Sequence, residues 1–274
     1  MKSNRVGSAR EAFARAVRAL EPYAAEVVLI GGWVHALLLA SASERSHAVL
    51  TDDIDFTIPR KLLTAGRPTL VELATQAGFE LDPLSELDGA PSRLTVDGPR
   101  DTVIDLDILT EGDQPRSAVP IEGQPDLAAQ GYPGQTFLQT HTQWVSVGTD
   151  IHQSLDPPVR IRIPTVGAYV IHKGLSSSTR AYRGKEAKDL VYLFEILRHP
   201  NLGQSARAEI RDLHDEDPTL IAAWRDRIEE VLTNSAVLRE MAAQLLLAGR
   251  FTGADDDAIA RIRAVLRRAV EDHD

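Results

Sequence analysis

The stretch LTDDIDFTI, residues 50–58, puts three acids into four consecutive positions of an otherwise apolar, strand-like segment. Side chains of a strand alternate between faces. Leu50, Ile54, Phe56 and Ile58 therefore share one face, with Asp52 in their parity, while Thr51, Asp53, Asp55 and Thr57 share the other. Two carboxylates on one side of a strand repel each other unless something cationic lies between them, and a divalent metal is the obvious candidate. TVIDLDIL, residues 102–109, repeats the pattern: Asp105 and Asp107 line up with Val103 and Leu109, opposite Ile104, Leu106 and Ile108. One such pair alone reads equally well as a solvated ladder. Two such strands as sheet neighbours would make three or four carboxylates converge. An oxygen-only cluster suits Mg²⁺, and two ions held this way can activate an attacking hydroxyl and neutralise a leaving pyrophosphate.

Gly31 and Gly32 close the short strand EVVLIGG and open the apolar helix WVHALLLASA, about twenty residues before Asp-Ile-Asp. Glycines let backbone approach phosphates, and the helix behind them aims N–H groups at anions; Gly-Gly alone is more often a plain tight turn, and its position between strand and helix is the stronger signal. Val166, Val170 and Lys173 form one helical stripe, so Lys173 projects from an apolar face. It either snorkels past the core edge or needs an anion, which a triphosphate would supply. In that reading, removing the lysine costs little stability. Lys188 and Asp189 open the next helix; Asp189 is suited to orienting a lysine or binding a nucleotide sugar. Trp33 and His35 read as core residues.

These residues need a scaffold, and the periodicity supplies one. Helical spacing is expected over 8–25, 33–42 and 68–77, and strands over 26–32, 50–58, 92–96, 102–109 and 157–164. The Gly-, Pro- and Gln-rich region 110–158 is expected to hold loops and short strands. From Thr165 the pattern is helical: 165–175, 184–198, 203–214, 217–233, 235–248 and 255–271. The expected class is α/β (α+β), a small mixed-sheet core over 1–160 followed by an all-helical lobe over 161–274.

With 274 residues, 43% of them hydrophobic and 26% charged, the composition is that of an ordinary globular protein. The absence of cysteine excludes disulfides and thiolate metal sites. With no long apolar run and no apolar leader core, no membrane association is expected and the cytoplasm is the expected location. A net charge of −10 speaks against a broad nucleic-acid coat. A local exception lies between Pro157 and Lys188, where seven Lys/Arg residues (Arg160, Arg162, Lys173, Arg180, Arg183, Lys185 and Lys188) face one acid, Glu186.

Together, IGGWVHALL, LTDDIDF and VIDLDILTEGD resemble the nucleotidyltransferase fold of the DNA polymerase β-like superfamily. Its signature is Gly-Gly or Gly-Ser, then Asp-x-Asp, then a third Asp on a later strand. The form Thr-x-Asp-Ile-Asp is similar to the AbiEii/MenT-type nucleotidyltransferase toxins. The resemblance spans about residues 28–198. It implies NTP as substrate, a two-Mg²⁺ site on Asp53, Asp55 and Asp107 with Asp105 as the alternative third ligand, and Lys173 as a catalytic, triphosphate-steadying residue. It further implies nucleotide contacts from Gly31, Gly32, Thr51, Lys188 and Asp189. The toxin branch implies transfer of NMP to the tRNA 3′ end, with Arg180, Arg183 and Lys185 on the RNA. It also raises a toxin–antitoxin or phage-defence role and a cognate antitoxin as a partner. A small-molecule acceptor, as in antibiotic adenylyltransferases, is the alternative, and a non-catalytic nucleotide-binding module is a second.

Overall fold

A computed structural model describes residues 5–41, 53–82, 90–177, 183–253 and 255–271. Thr51 and Arg180 lie outside the described residues, as do the side chains of Arg183 and Lys185. The chain begins with α1 (Ala9–Leu20), β1 (Val28–Ile30), α2 (Gly32–Ser41) and β2 (Asp53–Thr57). Next come α3 (Leu70–Gln76), β3 (Glu80–Leu81), β4 (Arg93–Asp97) and β5 (Val103–Glu111). Then follow β6 (Ser117–Ile121), β7 (Gln124–Tyr132), α4 (Gln135–Thr140), β8 (Thr142–Val147) and β9 (Val159–Pro164). The remaining helices are α5 (Val166–Ser177), α6 (Arg183–Arg198), α7 (Pro200–Glu216), α8 (Pro218–Thr233), α9 (Ser235–Leu247) and α10 (Asp256–Glu271). No described helix is long and apolar enough to cross a membrane.

Two compact units result: Met1–Val34 with Leu50–Pro164, and His35–Val49 with Thr165–Asp274. The first is built on a mixed sheet ordered β3-β4-β5-β2-β1-β9-β8, with β7 joining β5 to β6. The two acidic strands are neighbours: β2 and β5 pair in parallel, with Asp53 opposite Asp105 and Asp55 opposite Asp107. Their even-numbered faces are dry, with Ile54, Phe56, Ile104, Leu106 and Ile108 all buried. α1 packs on β5 and β9. Its buried residues Ala12, Ala16 and Leu20, with Phe13 and Val17 beside them, follow the four-residue helical repeat. Ser8 caps this helix by accepting from the Glu11 N–H at 3.1 Å.

The stretch expected to hold loops and short strands contains the nine-residue β7. Its Gln, Gly, Pro and Ala content has weak strand propensity, so tertiary pairing decides: Leu127 and Ala129 turn inward while β5 and β6 supply its ladders. The second unit is helical from Val166 onward. α7 begins at Pro200, three residues ahead of the expected start, because Pro fits the first helical position and the His199 side chain accepts from Leu202 N–H.

Candidate active site

Directly paired residues in a ladder share a face of the sheet, and here they assemble one continuous row. Ile30 on β1 stands opposite Asp55 on β2, Asp55 opposite Asp107 on β5, and Asp107 opposite Arg93 on β4. The next row holds Asp53, Asp105 and Thr95. Adjacent strands lie about 4.8 Å apart and same-face neighbours along one strand about 7 Å apart, so four carboxylates occupy one small patch. All four are partly buried. Below them the same face is closed by α4, where Leu138 packs with Val28 and Ile30. The Gln139 side-chain amide donates to Thr57 Oγ1 and to the Ile58 carbonyl, at 2.8 and 2.7 Å. Glu111 fixes α4 in turn, accepting from Gly134 N–H and Thr136 N–H at 2.9 and 2.6 Å.

The four acids have different surroundings. Asp105 is clamped: Arg93 Nε donates to its Oδ1 at 3.1 Å and Arg93 Nη2 to its Oδ2 at 2.6 Å. That hydrogen bond is also the main reason the Arg93 guanidinium is held above its ordinary pKa. Asp107 accepts one hydrogen bond at Oδ1, from Gln130 Nε2 at 2.9 Å. Burial, then repulsion from Asp55, Asp105 and Asp53, pushes the Asp107 carboxyl from the ordinary 3.8 to about 7, against a smaller lowering from Arg93. Asp55 lies over the glycine turn. Gly31 has φ +73°, and a methyl group on it would sit 2.0 Å from Asp55 Oδ2, so only glycine leaves that carboxylate its place. Gly32 opens α2 directly behind it.

As the side chains stand, no three His, Asp or Glu residues among those described are gathered tightly enough to hold a metal. The chemistry of the donors nonetheless fits a hard divalent cation: oxygen only, on one face, in register, with Asp107 resisting ionisation through burial and the repulsion of its neighbours. Asp53, Asp55 and Asp107 are the residues able to hold it; Asp105 has its oxygens on Arg93.

The other candidate residues lie in the second unit. Lys173 is buried at 3% exposure, and its anion is Asp189, with Nζ 2.9 Å from Oδ1. A carboxylate of the same unit thus neutralises this lysine, and Asp189 takes the lysine-orienting position open to it from the sequence. Tyr169 and Tyr192 rings flank Nζ at 5.8 and 5.7 Å. Lys188 Nζ lies 5.8 Å from the Tyr192 ring centroid, and Asp189 is buried. Beside them His35 is fully buried and bonded through Nε2 to Glu195 Oε2 at 2.7 Å, while Arg250 Nε donates to Glu195 Oε1 at 2.7 Å. Burial holds His35 below its ordinary pKa against the pull of Glu195. Trp33 is core, stacked on Phe13 with centroids 4.1 Å apart. Among the described cations of the basic segment, Lys173 pairs with Asp189, Arg162 donates to Thr142 Oγ1 and the carbonyls of Ala25 and Gln139, and the Arg160 guanidinium lies 5.1 Å from the Trp144 ring centroid.

Arg93 and Gln130 are the site residues that sequence reading misses. The alternation of SRLTV puts Arg93 on the polar side of a strand, but which strand it faces depends on an antiparallel pairing that no local pattern encodes.

Comparison with curated proteins gives no match. Among solved structures, an antigenic nucleotidyltransferase-like protein from Paracoccidioides brasiliensis is similar at 16% identity and a TM-score of 0.36, over 80% of this chain and 94% of that one. A family described as Nucleotidyltransferase matches residues 9–205, a span containing the Gly31–Gly32 turn, both acidic strands, Arg93, Lys173 and Asp189. That match covers well over half of the sequence, and the chain belongs to this nucleotidyltransferase family.

Proposed function

We propose that the protein is a Mg²⁺-dependent nucleotidyltransferase that moves NMP from an NTP to an acceptor hydroxyl. The observation that carries this reading is the in-register pairing of Asp53-x-Asp55 with Asp105-x-Asp107 on adjacent parallel strands, beside a glycine turn that no side chain can enter. Asp53, Asp55 and Asp107 would hold the metal, which when bound lowers the cost of forming the attacking alkoxide and the leaving pyrophosphate. Gly31 leaves room for Asp55 Oδ2, and Gly32 opens α2, whose first N–H groups suit a phosphate. Asp107, steadied at Oδ1 by Gln130, offers Oδ2 to the acceptor hydroxyl proton. Lys173 and Asp189, being paired with each other, shape the helical unit around Tyr169 and Tyr192.

For the acceptor, the resemblance to AbiEii/MenT-type toxins supports a tRNA 3′ end, and with it a toxin–antitoxin or phage-defence role. Arg180, Arg183 and Lys185 are the RNA contacts in that reading. A small-molecule acceptor is favoured instead by the net charge of −10 and by the internal use of Arg162 and Lys173. Incubation with each α-labelled NTP, Mg²⁺ and either total tRNA or a cellular metabolite pool separates the two by where the label becomes covalent. Asp53→Ala or Asp55→Ala should lower turnover by at least about a hundredfold with the fold retained by circular dichroism. Near-wild-type turnover in either variant refutes the metal assignment, and label in neither pool refutes transfer.

A further inference from the structure

Two parallel acidic strands in register create a symmetry problem. Asp105 stands beside Asp53 just as Asp107 stands beside Asp55, so backbone geometry alone offers a cation four ligands in two equivalent pairs. The side chains around them break that symmetry. Arg93 is the register partner of Asp107, yet its guanidinium reaches along the face to Asp105 and takes both oxygens. On its far side Asp82 Oδ2 lies 3.8 Å from Arg93 Nη1. The Asp105 side chain is 16% exposed, so it is held in this fork away from bulk water. A planar guanidinium can grip a carboxylate at both oxygens, which an ammonium cannot.

We propose that Arg93 is a positioning residue of the active site: by clamping Asp105 it keeps that carboxylate out of the cation-binding set and leaves Asp53, Asp55 and Asp107 to form it. The inference rests on the nucleotidyltransferase reading above. Without Arg93 the patch gains an uncompensated negative charge, and Asp105 swings toward Asp53 as a competing ligand. A cation is then held more tightly, but displaced from Asp55 and Asp107, where the proposed reaction takes place. Binding and turnover move in opposite directions, a signature that a merely structural residue does not give.

The test uses the full chain and the variants Arg93→Ala, Arg93→Lys and Arg93→Ala/Asp105→Asn, with kcat, KM for NTP, Mn²⁺ affinity by electron paramagnetic resonance, and thermal unfolding. Arg93→Ala should lose about 10- to 100-fold in kcat, the range for residues that orient metal ligands, while Mn²⁺ affinity rises. Neutralising Asp105 in the double variant should recover at least about tenfold of the lost kcat and return Mn²⁺ affinity toward wild type. Arg93→Lys, which keeps the charge and so guards against loss of folding, should remain impaired because it lacks the fork. A double variant as slow as Arg93→Ala overturns the proposal, as does wild-type kcat in Arg93→Lys. An equal rise of KM for NTP in both Arg93→Ala variants also overturns it, since Arg93 would then touch the nucleotide itself. Should wild type transfer no label, the functional reading fails separately; Mn²⁺ affinity that rises in Arg93→Ala and falls back in the double variant still supports the clamp, and unchanged affinity in both refutes it.

Discussion

Replacing Asp107 with Asn removes one charge from the carboxylate patch and keeps an oxygen for Gln130 Nε2, which donates at 2.9 Å. With no metal bound, the folded protein holds the Asp107 proton up to about pH 7, against an ordinary 3.8. The difference is about three pH units at about 1.4 kcal/mol each, so a fully ionised Asp107 costs about 4 kcal/mol of stability. The sign follows from proton counting. Between about pH 4 and 7 the folded state keeps a proton that the unfolded chain has released, so stability falls as pH rises through this window and levels off above it. The Asn variant has no such proton to lose. In EDTA, urea unfolding should show it more stable than wild type, with the gap widening by about 3 kcal/mol from about pH 4.5 to about pH 8.5. Millimolar Mg²⁺ should shrink the gap at the alkaline end, because a cation stabilises only the ionised wild-type site. Parallel stability curves for the two proteins in EDTA would refute both the raised pKa and the burial and crowding of charge that cause it.

Gly31→Ala should reduce turnover by at least about a hundredfold, because its methyl takes the place of Asp55 Oδ2, while the left-handed backbone costs only about 1–2 kcal/mol of stability; wild-type kcat with an intact fold would show that Asp55 can move aside harmlessly. Lys173→Ala should destabilise the protein by about 3–5 kcal/mol by removing the ammonium paired with buried Asp189, and Lys173→Met/Asp189→Asn should regain most of it; a Lys173→Ala variant of wild-type stability in urea contradicts the pairing.

The parity of Asp53, Asp55, Asp105 and Asp107 is legible in the sequence because a strand has a two-residue period and its opposite face is filled by Ile and Phe. The glycine turn is legible from its place between a short apolar strand and an alanine-rich helix. What lies beyond local pattern is who faces whom. The stripe Val166, Val170, Lys173 announces a buried cation but not its anion, which comes from the next helix sixteen positions on. His35 and Glu195, separated by 160 residues, are hidden for the same reason. β7 is hidden for a different one: its Gln, Gly and Ala positions become strand only because β5 and β6 lie on either side.

Register connects the fold to the chemistry more tightly than any single residue does. A one-residue slip of β2 would turn Asp53 and Asp55 into the dry side of the sheet and expose Ile54 and Phe56, now 0% and 1% exposed. Burying two unpaired carboxylates and exposing two large apolar side chains would cost several kcal/mol on each count. The core therefore enforces the alignment that sets Asp55 against Asp107. Because β1 runs antiparallel to β2, the same alignment puts Ile30 opposite Asp55 and so delivers Gly31 to the carboxylate at the strand's end. On the other flank, β4 antiparallel to β5 delivers Arg93 to Asp107's row. The result is an ordered row: a bare backbone turn, two acids, then a cation. In the proposed reaction, that polarity gives the glycine end to an anionic phosphate and the arginine end to Asp105, the carboxylate held apart from the metal ligands.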